Sequence, residues 1–151
     1  MKNIRGCIVN QIDIADDFYE AYDRCILTDG NNRIVAVPAF TNGLFACELY
    51  LKILIGNDIK KVNKKRRHNL KELYNVLDDE IKAKVESIKC DSRYTLERLL
   101  AHIGDGFTTW RYCFENGNED FGEARPFEFS DYFLKTYLPI LKIIANEYAR
   151  K

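Results

Sequence analysis

The sequence predicts an all-α domain, an up-and-down bundle of four to six helices over residues 1–151. Two observations carry this expectation. Apolar side chains recur at spacings of three and four along most of the chain, the period of an amphipathic helix. Glycines and prolines, eight and three in number, act as sparse punctuation, with no repeat, low-complexity tract or linker to divide the chain. At 151 residues and 46% apolar composition, one sizeable core can be buried.

The first helix is expected over 12–27, where Ile14, Phe18, Ala21 or Tyr22, and Cys25 keep helical spacing. TDGNN, 28–32, has turn chemistry. RIVAV, 33–37, is open to strand or helix, because Pro38 biases Val37 toward extended backbone. A second helix runs from Pro38 to Gly56, a favourable start and a favourable stop. It is apolar on nearly every side and is therefore expected at the centre of the bundle. A basic loop, 57–67, follows. Asn69 then caps a third helix, with Glu72 in the position of a capping-box acid. Leu70, Leu73, Tyr74 and Leu77 form its inward stripe. A fourth helix is expected over 79–90. A fifth spans 93–115, weakened at Gly104 and Gly106. A loop covers 116–126. The last helix starts after Ser130 and is bent or split by Pro139.

Formal net charge is zero, so any electrostatic hold on nucleic acid must come from a local patch. The five cysteines, Cys7, Cys25, Cys47, Cys90 and Cys113, are scattered and form no CxxC pair. That spacing argues against a disulfide framework or a zinc site and suits a reducing cytoplasm. The beginning, MKNIRGCIVNQIDIADD, has no apolar core of signal-peptide length. Elsewhere, charged residues and glycines interrupt the apolar stretches short of the ~20 residues of a membrane span. A cytoplasmic protein with no membrane association is the expectation.

The densest charge lies in KKVNKKRRHNLKELY, 60–74. Lys60, Lys61, Lys64, Lys65, Arg66 and Arg67 suit a phosphate backbone, or equally a solvated loop balanced by Asp78, Asp79 and Glu80. On the apolar second helix, Thr41, Glu48 and Lys52 share a stripe, with Glu48 and Lys52 in the favourable order for an ion pair. Charges there must be paired or must face a cleft. In WRYCFE, 110–115, Arg111 offers a planar fork for phosphate, and Trp110 or Tyr112 a stacking face for a base. The stripe that contains Trp110 also suits a core position. Arg98, His102, Asp105 and Thr109 share a polar face. His68 and His102 are the two histidines, without the spacing of a metal-ligand set. No Ser-His-Asp arrangement, P-loop, HExxH or GxGxxG motif is present, so no catalytic residue, metal or cofactor is assigned.

Three segments in order, FTNGLFACELYLKILIG, HNLKELYNVL and FTTWRYCFE, resemble the HEPN superfamily (higher eukaryotes and prokaryotes nucleotide-binding). The likeness covers residues 38–115 and is best over 44–77. It implies a four- or five-helix bundle, often dimeric, in toxin–antitoxin, phage-defence or RNA-processing systems. Members act as metal-independent ribonucleases or as nucleotide-binding partners. The nuclease pattern of Arg, four to six residues, then His is missing: no histidine follows Arg111. The expectation is thus a binding module for nucleotide, RNA or a partner protein. Its groove would lie between the helices carrying Lys52, His68 and Arg111. Lys52, Arg67 and Arg111 would hold phosphates, Trp110 or Tyr112 would contact a base, and Glu48 would pair with Lys52. Two alternatives are a divergent ribonuclease using Arg111 with His102 or His68, and an interaction protein assembling around Phe127, Phe129 and Tyr132.

Overall fold

A computed structural model describes residues 10–26, 36–111 and 125–151, without the side chains of 108, 109, 111, 125 and 126. The expected turn at 28–32, residues 33–35 of RIVAV, most of the loop at 116–126 and Tyr112 lie outside the described residues. The described residues form an all-α bundle with no strand: α1 (Gln11–Ile26), α2 (Ala36–Ile55), α3 (Leu70–Asn75), α4 (Asp79–Glu86), α5 (Leu96–Ile103), α6 (Gly106–Arg111), α7 (Arg125–Thr136) and α8 (Leu138–Ala149).

Six expected helices become eight because two of them break. The expected helix at 93–115 opens with a 3-10 turn, Ser92–Tyr94, and is cut at Gly104–Asp105 into α5 and α6. The last helix begins at Arg125, ahead of Ser130, and divides before Pro139, which sits in the first turn of α8. Proline has no N–H to give there, so the first turn accepts it at no cost. The same tolerance decides the end of RIVAV, which the sequence leaves open. Ala36 and Val37 belong to α2, and Pro38 falls within its first turn. At the other end, Gly56 has φ +56, a left-handed value that stops the helix and suits a residue without Cβ.

α2 is the axis of the fold. α1, α3, α6, α7 and α8 all pack on it, and Phe40, Leu44, Cys47, Tyr50 and Leu51 are buried. Each such large apolar side chain contributes about 1.5–3 kcal/mol on burial. Together with the turn that follows, this helix has the length and apolarity to cross a membrane, but most of its apolar stretch is buried inside the bundle. Aromatic contacts fix its neighbours. Phe45 meets Phe18 of α1 edge-on and stacks on Phe107 of α6, both at 4.6 Å between centroids. Phe40 takes Trp110 and Phe127 edge-on at 5.0 and 4.9 Å. Such pairs add about 0.5–1.5 kcal/mol beyond area burial.

Polar groups join the outer helices to the axis. The Tyr50 hydroxyl of α2 donates to Asp16 of α1, and Asn146 Nδ2 of α8 donates to the same carboxylate oxygen at 3.2 Å. Burial, and then the hydrogen bond to Asp16, push the Tyr50 phenol far above its ordinary range. Burial does the same to the Cys47 thiol.

At Gly43, side chains of α1 and α7 both press on α2. A Cβ placed there would stand 2.9 Å from both Leu134 Cδ1 and Tyr22 Cδ2. Gly43→Ala is expected to cost about 1–3 kcal/mol through overpacking, read as a lower urea midpoint at unchanged slope.

Candidate functional site

The site begins with one buried charge. Glu48 lies midway along α2 with its side chain 0% exposed. Desolvating a carboxylate costs several kcal/mol unless partners return the lost hydrogen bonds. One oxygen is satisfied twice: Oε1 accepts from Lys52 Nζ at 2.6 Å and from His68 Nδ1 at 2.9 Å. The other, Oε2, is buried without a partner among the described residues. Lys52 reaches the carboxylate from one turn further along α2, and its side chain is 30% exposed. The His68 side chain is 63% exposed. The carboxylate is inside, and the groups it holds reach the surface.

A carboxylate oxygen opposite Nδ1 favours the ring form that carries its hydrogen there. Nε2 then accepts when the ring is neutral and donates when it is protonated. It has no protein partner among the described residues. Lys52 also borders a shallow cavity of about 140 Å³ with Gln11, Ile14, Leu49 and Ile53.

His68 is positioned by the basic segment, which is folded rather than a loop. Two 3-10 turns, Gly56–Lys61 and Lys64–Arg66, flank a buried Val62. Asn63 caps the second turn, accepting from Lys65 N at 3.0 Å. Arg67 Nε donates back to Val62 O at 3.2 Å. Val62 anchors the segment in the core while its cations point out. Lys61 pairs with Asp58 at 3.2 Å and Arg66 with Glu72 at 3.7 Å; the expected balancing acids Asp78, Asp79 and Glu80 are not the partners. Lys60, Lys64 and Lys65 are exposed and carry no ion pair among the described residues.

Of the expected set, Glu48, Lys52 and His68 come together, and Arg67 adjoins them with its Nε committed to the turn. Trp110 does not join them. It is buried, donates from Nε1 to Ser130 Oγ at 3.0 Å and packs on Phe40. Phe40 precedes Glu48 by two helical turns, about 12 Å along the axis. The indole therefore has no free face for a base. Arg111 ends α6; its side chain, like Tyr112, lies outside the described residues.

A second polar region brings the Asn69 cap beside His102 and Asp105 of the polar face noted in the sequence. The first turn of α3 and the α5–α6 corner enclose a cleft of about 460 Å³, bordered by Arg66, Lys71, Glu72, His102 and Asp105 over an Asn69 floor. Asn69 caps α3 through Glu72 N at 3.1 Å and also donates from Nδ2 to Asp105 Oδ1 at 2.9 Å. Its second bond, across 36 residues, has no local signature. Glu72 is half of the expected capping box only. Its carboxylate turns to Arg66, and Asn69 N donates to Arg66 O at 2.9 Å.

Glu48→Gln keeps the shape but gives Lys52 and His68 a neutral acceptor and buries an amide N–H₂ in place of Oε2. A loss of about 1–3 kcal/mol is expected, measured by urea denaturation. Comparison of the chain with protein-family models, with curated proteins and with solved structures finds no match.

Proposed function

We propose that this chain is a HEPN-like helical binding module that takes RNA or a nucleotide through the face formed by the two basic turns, Lys52 and His68. One observation carries the reading: the buried Glu48 carboxylate holds a lysine and a histidine at the surface, beside exposed cations. A carboxylate buried in the core of an apolar helix is a costly way to stabilise a fold. It is an effective way to fix two donors for a phosphate, because their side-chain entropy is lost before the ligand arrives. Lys60, Lys64 and Lys65 then add unpaired charge for neighbouring phosphates, and Arg67 offers the remaining nitrogens of its guanidinium.

Binding through such a face is salt-sensitive, because each neutralised phosphate releases condensed counterions. Fluorescence anisotropy with a labelled single-stranded RNA should show saturable binding at low salt that weakens as salt rises. Lys64→Gln combined with Lys65→Gln should flatten that salt dependence, lowering the slope of log K against log salt by about 0.7 for each phosphate no longer neutralised. A folded protein that binds no RNA or nucleotide at low salt overturns the proposal. Trp110 is buried, so its fluorescence follows folding and not the ligand.

The Glu48–His68 hydrogen bond favours a second reading, a divergent metal-independent ribonuclease. A carboxylate on Nδ1 fixes the tautomer that leaves Nε2 for proton transfer. Cleavage of unstructured RNA, reduced about 10²-fold or more in His68→Ala, is the expected result under this reading. Intact RNA after hours at high protein concentration excludes it.

A further inference from the structure

We infer that His68 makes the basic face proton-sensitive: the ring takes up a proton as it meets an RNA phosphate, so RNA binding tightens as pH falls from 8 to 5. This inference rests on the RNA-binding reading and assigns a regulation to it.

The first argument is what protonation changes. His68 Nδ1 lies 2.9 Å from Glu48 Oε1, while the side chain is 63% exposed. With its hydrogen on Nδ1, the ring donates to Glu48 in both charge states. Protonation therefore leaves the ring in place and alters one atom, Nε2, which turns from acceptor to donor. Nε2 has no protein partner among the described residues and is the nitrogen free to meet a ligand. A phosphate oxygen is an acceptor. Against the neutral ring it meets a lone pair; against the protonated ring it gains a charge-assisted hydrogen bond.

The second argument is charge. On α2 the ring faces Glu48, and Lys52 donates to the same oxygen at 2.6 Å. Glu48 and Lys52 cancel, so the trio is neutral with a neutral ring and singly positive with a protonated one. Its own turn adds Arg66 and Arg67, and α3 adds Glu72, which stands 3.7 Å from Arg66. Lys60, Lys64 and Lys65 are exposed on the same segment. A phosphate bound at this face favours the added charge, and the added charge favours the phosphate, because linked equilibria act reciprocally. Histidine is the side chain whose ordinary charge change falls between pH 5 and 8, and this chain has two. The other, His102, stacks on Phe129 at 4.5 Å in the cleft beyond Asn69 and provides an internal control.

The test is fluorescence anisotropy of the full chain with labelled single-stranded RNA, whose phosphodiesters keep their charge, from pH 8 to pH 5. Affinity should rise about tenfold toward pH 5, with at most about one proton taken up per complex. The slope of log K against log salt should steepen by about 0.7 over the same range. Folded His68→Gln should bind at every pH as the parent does at pH 8. His68→Arg carries a permanent charge and should bind at every pH about as the parent does at pH 5. His102→Gln should keep the parent profile. In NMR, the His68 Cε1–H resonance should titrate at higher pH with RNA bound than without it. Equal affinity at pH 5 and pH 8, or a pH dependence that survives in His68→Gln, overturns this inference and leaves the RNA-binding reading standing. No RNA binding anywhere in the range overturns both.

Discussion

A helix that is apolar on every side has to be covered on every side, and α2 imposes that demand on this chain. Five other helices lie against it. Contacts with three of them are shaped by what α2 presents: Gly43, where Leu134 and Tyr22 come in, and Phe40 and Phe45, each meeting aromatic rings of two other helices. Short helices such as α3 and α6, with six residues each, are too short to hold as isolated segments in water. They persist here because one face of each is buried against this axis.

Glu48 is the exception along that axis. Part of its cost is offset by drawing Lys52 and His68 onto one oxygen, while the other stays buried without a partner among the described residues, and His68 in turn ties down the end of the basic turns. The candidate face is therefore coupled to the core through this carboxylate and through the buried Val62. The polar cleft on the other side of Asn69 is built differently. There the backbone of α3 and the α5–α6 corner bond directly, and side chains only complete the frame. Asn69 and His68 are adjacent in sequence, so one short stretch of chain serves both regions.

Much of this is legible in the sequence. The helical class, the central position of 38–56, the Asn69 cap, the stripe of Leu70, Leu73, Tyr74 and Leu77, and the Glu48–Lys52 pair all follow from local spacing. What is not legible depends on contacts between distant residues. The bond from His68 to Glu48 spans 20 residues, and that from Asn69 to Asp105 spans 36. Neither follows from periodicity. Trp110 suits either a ligand face or the core by sequence, and its spacing with Phe107 and Phe114 favours the core, where the structure places it. Val37 misleads because a residue before proline usually avoids helical backbone, yet at the opening of a helix the tertiary context of a buried axis prevails.

The hydrogen bond from Asn146 to Asp16 joins residues 130 apart, and this separation bears on how the chain is made. On the ribosome, α2 is complete before α6, α7 and α8 exist. At roughly 5–20 residues per second, the stretch from Ile55 to Leu138 takes on the order of 5–15 s to add. During that interval the helices that cover α2 arrive one after another, α3 first, then α6 and α7. The nascent chain thus passes through a stage in which a continuous greasy rod is open to solvent, and ribosome-associated chaperones or neighbouring nascent chains can reach it. Addition of α8 completes the cover that the described helices give it.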